Sequence, residues 1–553
     1  MVTKRCKASP RSTSSHPSIG DPVPLVAAFL DDAAHDTEHI LTGTAALTYT
    51  DAADILTRLT GHTVRHRSVS EEKVASRIAA HGVPAAFVTV LAAMDVAIAD
   101  GDEDRVTDTV ERIAGRPARS FSTFENKGNP MKQLLFHDDV QFWFETLRVI
   151  GHASYGGADF GEVVATASQI TAGDYDSWHD AWLATAERVE AEARAAHPVS
   201  ARDGFLRAST YYRSAEFFLH GNPDDPRIEH AFTRGVACFR SAIAHLAAVE
   251  PVEIPYGETT LSGYFYRASG ERPKPTLVMH NGFDGSAEEL HFFGAVGGQE
   301  RGYHVLTFDG PGQATAIHRD KLPFRPDWEN VVGPVLDFLL TDPTVDPARI
   351  ALLGLSLGGM LAPRAAAFET RLAAVVAVDG VYDGSTAITT FLELDRVEIS
   401  RRATADHDEE LDELIAAARD DSPVIRWAYD HGRYAMGVQT DRQFLAALLK
   451  YNVMDGIAEQ ITCPVLVCEA AEDLFFAGDE SREAEPRRLY EHLTAPKKLL
   501  TFTATEGAAE HCHSGAQRLA VGRIFDWLDD TMPPRPEHYS WHPPNSASWP
   551  AAN

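Results

Sequence analysis

The stretch that decides the fold is "RIALLGLSLGGMLAPRAAAF", Arg349 to Phe368. An apolar, β-rich run stops at a serine flanked by glycines and continues at once as an alanine-rich helix. Gly354-Leu355-Ser356-Leu357-Gly358 is G-x-S-x-G at a strand-to-helix junction, the arrangement of a nucleophile elbow. The turn is so tight that side chains at the two glycine positions would collide with the neighbouring strand and helix. Ser356 is expected in strained backbone geometry, with its hydroxyl exposed at the C-terminal edge of a sheet. The helix that follows points its positive end at any oxyanion formed there. The pentapeptide alone is modest evidence, since chance gives roughly 0.2 matches in a chain this long at ordinary glycine and serine usage. A glycine-rich turn with a capping serine would look the same.

The surroundings add weight. "TLVMH" (Thr276 to His280), "HVLTFD" (His304 to Asp309), "RIALLGL" (Arg349 to Leu355), "AAVVAVD" (Ala373 to Asp379), "PVLVCEA" (Pro464 to Ala470) and "KLLTFTA" (Lys498 to Ala504) are short β-rich runs, most of them separated by helical patterns. Strands alternating with helices imply a parallel sheet covered on both faces. "LSGYFYRASG" would add antiparallel strands at one edge. The longest insertion, about Gly384 to Asp455, reads as several helices and is expected to roof the site.

A serine hydroxyl needs a base, and the base needs an orienting carboxylate. Both are available downstream, in the order serine, acid, histidine. Asp473 follows "PVLVCEA" and His511 follows "KLLTFTA", so parallel strands would bring both to the edge that carries Ser356. Glu472 and Asp479 compete for the acid and His513 for the base. His511 is preferred because it directly follows the Gly-Ala-Ala turn. "LVMHNGFDG" places His280-Asn281-Gly282-Phe283 at the end of an early strand, where an oxyanion hole belongs. Its donors would be the Phe283 and Leu357 N–H groups, with Asn281 and Asp284 bracing the turn and Asp284 also a substrate-binding candidate.

Between Leu134 and Val249 the pattern is helical, with "FWFETLRVIGH", "DSWHDAWLATAERVEAEARAA", "RDGFLRASTYYRSAEFFLHG" and "IEHAFTRGVACFRSAIAHLA" carrying apolar residues three and four apart. Trp178, Trp182, Tyr211, Tyr212, Phe217 and Phe218 read as knobs in a helical core because their spacing is regular. A ligand-facing role stays open, with Tyr212 the substrate-binding candidate, and exposed cap aromatics would suit a homodimer.

Composition limits the functional classes. At 553 residues, two or three domains are expected. A balance of 50 basic against 80 acidic residues gives a net charge of -30, which repels phosphate backbones and anionic membrane surfaces. A nucleic-acid partner and a membrane are both unexpected. The opening "MVTKRCKASPRSTSSHPSIG" has no apolar core of a secretory signal, and the five cysteines are at no metal spacing, so a cytoplasmic protein with reduced thiols is expected, without metal or cofactor.

Two resemblances follow from these motifs. "HNGFDGSAEEL", "RGYHVLTFDGPGQ", "GLSLGGMLAPRAAA", "EDLFFAG" and "AEHCHSGA", with "YYRSAEFFL" and "DSWHDAW" before them, resemble an α/β-hydrolase branch with an N-terminal helical cap. That branch includes 2,6-dihydroxypseudooxynicotine hydrolase and the fungal hydrolases that shorten polyketide chains. The resemblance spans about Leu134 to Asp530 and implies an α/β-hydrolase sheet, a Ser356, Asp473, His511 triad, and a small-molecule substrate. It further implies cleavage of a carbon–carbon bond beside a ketone, in a β-dicarbonyl or acyl-aromatic compound. Ala314 in "DGPGQA" stands where a further glycine is common. A carboxylesterase or thioesterase is the alternative, and a non-catalytic binding protein on the same fold is the alternative of another class. Upstream, "HILTGTAALTYTDAADILTRLTGHTVRHRSVS" and "VTDTVERIAGRPARSF" resemble the C-terminal portion of the NmrA-like NAD(P)-binding family. No G-x-G-x-x-G precedes them, so no dinucleotide is expected. The expected organisation is a disordered start (1–20), a small α+β NmrA-like fragment (21–125), an all-helical cap (131–250), a catalytic domain (251–531) and a proline-rich tail (532–553).

Overall fold

The structure is a computed structural model describing residues 133–137, 139–246, 248–270, 272–392, 394–478 and 482–533, together with Arg65, Lys73 and Val88. The expected disordered start, the NmrA-like fragment, the tail beyond residue 533 and the candidate acid Asp479 lie outside the described residues. Contacts divide the chain after Pro130, and the account below concerns the second unit, Met131–Asn553.

That unit begins with five helices, α1 (Val140–His152), α2 (Phe160–Ala167), α3 (Tyr175–Ala195), α4 (Pro198–Glu216) and α5 (Pro226–Ile243). Aspartates start four of them: the carboxylates of Asp139, Asp159, Asp174 and Asp225 accept the otherwise orphaned N–H groups of α1, α2, α3 and α5. α4 opens instead on Pro198, whose missing N–H costs nothing in a first turn. Helices α3, α4 and α5 pack on one another through the aromatic knobs. Trp178, Trp182, Tyr211, Tyr212, Phe217 and Phe218 are all buried, as expected of knobs in a helical core.

Eight strands follow: β1 (Val249–Tyr256), β2 (Thr259–Tyr266), β3 (Lys274–His280), β4 (His304–Phe308), β5 (Val345–Gly354), β6 (Ala374–Ala377), β7 (Val465–Ala470) and β8 (Lys497–Phe502). They form one sheet in the order β1-β2-β4-β3-β5-β6-β7-β8. β1 and β2 are antiparallel at one edge, and β4, β3, β5, β6, β7 and β8 run parallel. Every residue of β4, β6 and β7 is buried, on alternate faces, so both faces of the sheet are covered. All six expected parallel strands are present. The sequence pattern did not distinguish β1, whose burial is broken and whose two prolines are tolerated only because it is the edge strand.

The helices α6 (Ala314–Asp320), α7 (Glu329–Leu339) and α8 (Gly358–Phe368) belong to the sheet's crossovers, and α8 packs on β5 and β6. The insertion between β6 and β7 forms α9 (Arg396–Ala403), α10 (Glu409–Asp421), α11 (Pro423–Met436) and α12 (Asp441–Leu448). Two further helices, α13 (Glu485–His492) and α14 (Gln517–Thr531), complete the crossover to β8 and the end of the unit. No helix among the described residues is long and apolar enough to cross a membrane.

Candidate active site

Ser356 sits between β5 and α8 with φ +60°, a left-handed conformation that costs a non-glycine residue about 1–3 kcal/mol unless its surroundings enforce it. The surroundings do. A Cβ on Gly354 would run into the Gly358 carbonyl and lie 2.9 Å from the His280 ring, so no side chain fits beneath the turn. The neighbouring turn after β3 approaches equally closely: a Cβ on Gly282 would lie 2.5 Å from the Leu355 carbonyl and 2.6 Å from the Leu357 nitrogen. This approach packs the turn that carries Phe283 against the backbone of the elbow, and among the described residues neither the Phe283 nor the Leu357 N–H donates to a protein acceptor. Asn281 braces the turn by donating to the Ser286 carbonyl at 2.7 Å. Its own carbonyl accepts from Gln313 and lies 2.9 Å from His280 Nδ1.

His511 lies between the serine and two acids. Its Nε2 is 2.8 Å from Ser356 Oγ, and its Nδ1 is 2.9 Å from Asp473 Oδ2. A carboxylate only accepts, so Nδ1 carries the proton and Nε2 is left to accept from the hydroxyl. Asp473 is fixed in turn by the N–H groups of Phe475 and Phe476, at 2.7 and 3.0 Å from Oδ1. Burial alone would raise its carboxyl, but the charge and hydrogen bond of His511 and these two N–H groups hold it below the usual range.

The competitors are placed elsewhere. His513 turns its Nδ1 to the Ala508 carbonyl at 3.1 Å and packs on Phe502, and burial lowers its imidazole to about 4. Glu472 makes no contact with His511 among the described residues, and burial raises its carboxyl.

One group was missed. Asp379, just beyond β6, is fully buried and brings Oδ2 to 3.2 Å from His511 Nδ1. The Cys512 N–H donates to both its oxygens, at 3.0 and 3.1 Å, and the Cys512 thiol donates to Oδ2 at 3.0 Å. Burial, with repulsion from Asp473, pushes the Asp379 carboxyl up to about 6 against the pull of His511. Burial disfavours a charged His511, yet Asp379 and Asp473 outweigh it and raise the imidazole well above its usual value. The signal was present in the sequence as a β-rich run ending in Asp-Gly at the same sheet edge.

Ser356 and His511 open onto a cleft of about 630 Å³, counting its mouth. Its wall is largely aromatic: Phe144 from α1, Phe283, Trp427 from α11, Phe444 from α12, and Phe475 and Phe476. Trp427 stacks on Phe217 of the cap with centroids 5.2 Å apart, joining roof to cap. The insertion therefore covers the site as expected. Tyr212 does not line the cleft; it is buried between α3 and α4 with its hydroxyl donating to Glu190 at 2.7 Å, because its helical position faces the core.

Asp284 does line the cleft, in a cluster that sequence spacing could not reveal. Arg148 grips Glu289 through two bonds of 2.7 and 2.6 Å and donates to Asp284 at 2.8 Å, while Arg213 reaches Glu145 at 3.3 Å. Three carboxyls thus share two guanidiniums. Burial raises Glu145 to about 7, with the two arginines opposing and the Asp284 and Glu289 charges adding to the rise. Glu145, Arg148 and Asp284 form the polar end of an otherwise apolar cleft.

Comparison with known proteins agrees with this fold. Residues 277–521 match the alpha/beta hydrolase family. Hydrolase LUC6 of a Fusarium species is 35% identical over 422 residues, covering 71% of this chain and 96% of the relative. The 20-hydroxy-prefusarin hydrolase FUS2 of Gibberella moniliformis is 34% identical over 422 residues, with 71% and 96% covered. Among solved structures, 2,6-dihydroxy-pseudo-oxynicotine hydrolase has the same fold at a TM-score of 0.50 and 22% identity, covering 69% of this chain and 95% of that one. The elbow, the eight-stranded sheet and these relatives together make the chain a hydrolytic enzyme of the alpha/beta hydrolase family.

Proposed function

We propose that the enzyme is a serine hydrolase that cleaves a carbon–carbon bond beside a ketone in an oxygenated, aromatic or β-dicarbonyl small molecule. The observation that carries this reading is the contact from Asp473 through His511 to Ser356 at the base of an aromatic cleft with one polar end. Ser356 Oγ attacks the carbonyl carbon and His511 Nε2 takes its proton. The oxyanion accepts from the Phe283 and Leu357 N–H groups. As the carbon–carbon bond breaks, its electron pair goes to the leaving carbon, which His511 protonates; water then attacks the acyl-serine with His511 as base and releases the acid.

A carbon leaving group departs only where the substrate spreads its charge, as a β-diketone or phenolic ring does. The flat aromatic walls suit such a substrate, and Glu145 and Arg148 suit its oxygen substituents. Asp284 then orients Arg148 and takes part in substrate binding through it. Asp379 acts as a second acid on His511. The test is to assay matched pairs, a β-diketone and the corresponding ester, with the native enzyme and Ser356→Ala. Cleavage of the diketone by the native enzyme alone is expected. Turnover of the ester with no diketone cleavage across several aryl and alkyl pairs would make it a carboxylesterase. A fluorophosphonate probe is expected to label the native enzyme and not Ser356→Ala; failure to label the native enzyme would favour a binding protein.

A further inference from the structure

Behind the oxyanion turn, a line of buried imidazoles leads away from the active site. The Phe283 carbonyl, which can only accept, is 2.9 Å from His431 Nε2, so His431 donates there. His431 Nδ1 is 3.0 Å from His220 Nδ1, so one of these two nitrogens donates to the other. The second ring nitrogen of His220, Nε2, faces Glu216 Oε2 at 2.8 Å, and neither atom has an aligned hydrogen-bond partner among the described residues. A buried pair left without aligned partners is a place for a further group.

A third buried side chain stands beside this pair. His318 on α6 has its Nδ1 3.1 Å from the Tyr434 hydroxyl, which leaves Nε2 free. Its ring centroid is 6.0 Å from that of His220, a separation suited to two imidazoles on one ion. One donor atom from each of Glu216, His220 and His318 lies within 4.8 Å of the others, and all three residues are buried. The rings are also held in orientation: His318 stacks on Phe232 at 4.1 Å and His220 on Tyr434 at 4.6 Å. Each histidine thus has its Nδ1 engaged by a hydrogen-bond partner, as metal-binding histidines commonly have one ring nitrogen engaged.

We infer that Glu216, His220 and His318 bind one divalent first-row transition ion, Zn²⁺ foremost, which ties the cap to the sheet domain and, through His431, steadies the oxyanion turn. Two imidazoles and a carboxylate form a borderline donor set that suits Zn²⁺ at about 2.0–2.2 Å per bond. The site draws on α4 and the turn after it, on α6, and on α11 through His431 and Tyr434. The ion would crosslink three parts of the molecule that the chain itself joins only distantly.

The test uses the full chain, freed of metal, given Zn²⁺ or Co²⁺ and cleared of loosely held ion. About one equivalent of Zn²⁺ is expected to remain, and the Co²⁺ form is expected to show the visible absorption of a low-coordinate N/O site. Both signals should be lost in His318→Ala and Glu216→Gln and kept in His511→Ala, which separates this site from the neighbouring Asp379, His511 and Cys512 group. Retention of less than a tenth of an equivalent by the native chain overturns the inference, as does unchanged binding in His318→Ala. Should His318→Ala fail to fold by circular dichroism, the native Co²⁺ spectrum decides alone: without a visible band, the inference is overturned.

Discussion

His511 Nδ1 lies within 3.2 Å of two buried carboxylates, and this changes what each single substitution should do. Where one aspartate alone orients the base, its conversion to asparagine costs about 10⁴ in rate, because the wrong tautomer is stabilised. Here Asp379 remains in contact when Asp473 is lost. We expect kcat of Asp473→Asn to fall only about 10²-fold, and the loss of about 10⁴ to appear in the double variant with Asp379→Asn. A full loss in the single variant, unchanged in the double, would remove Asp379 from the mechanism. The pH dependence follows from the same pair. Carboxylates favour the imidazolium, so the neutral base forms only above the ordinary histidine range, and the rising limb of kcat/KM should lie above pH 6.5. Asp379→Asn removes a negative charge and should move that limb to lower pH; a limb that stays in place contradicts the contact. Ser356 was legible because its glycines stand beside it in sequence, and Asp473 and His511 because each follows a recognisable strand. Asp379 also follows a strand, but the usual order of serine, acid, histidine offers it no place, so pattern alone passed over it.

At the level of turns and helices, the oxyanion site depends on how closely two loops approach. A Cβ at position 282 would lie 2.6 Å from the Leu357 nitrogen, against one donor itself. Gly282→Ala should therefore displace the donors and lower kcat by about 10²–10³, the usual cost of losing one such donor. Helical content, read by circular dichroism, should be retained, because the change is confined to the turn after β3; a fully active variant would place the donors elsewhere. Parallel strands were readable as apolar runs, and the roof as a long insertion. The edge strand β1 was not, since its prolines and polar residues break the expected pattern. Nor could spacing show that α1 supplies Glu145 and Arg148 to the cleft, because Arg148 meets Asp284 and Glu289 across more than a hundred intervening residues. Helical periodicity reports that a face is buried, not against what.

Across the whole molecule, Ser356, Asp379, Asp473 and His511 all belong to the second unit, Met131–Asn553. Deleting residues 1–130 should leave hydrolysis within a few-fold of the full chain. Complete loss from a folded remainder would show that those residues complete the enzyme. The sheet carries one more consequence. Its reactive groups come from the ends of β3, β5, β6, β7 and β8, and the base follows the last and outermost of them. A nascent chain that has been translated only through β7 holds the nucleophile and both oxyanion donors but nothing to activate the serine. On the proposed mechanism, hydrolytic competence therefore waits until β8 and the loop after it are in place beside β7.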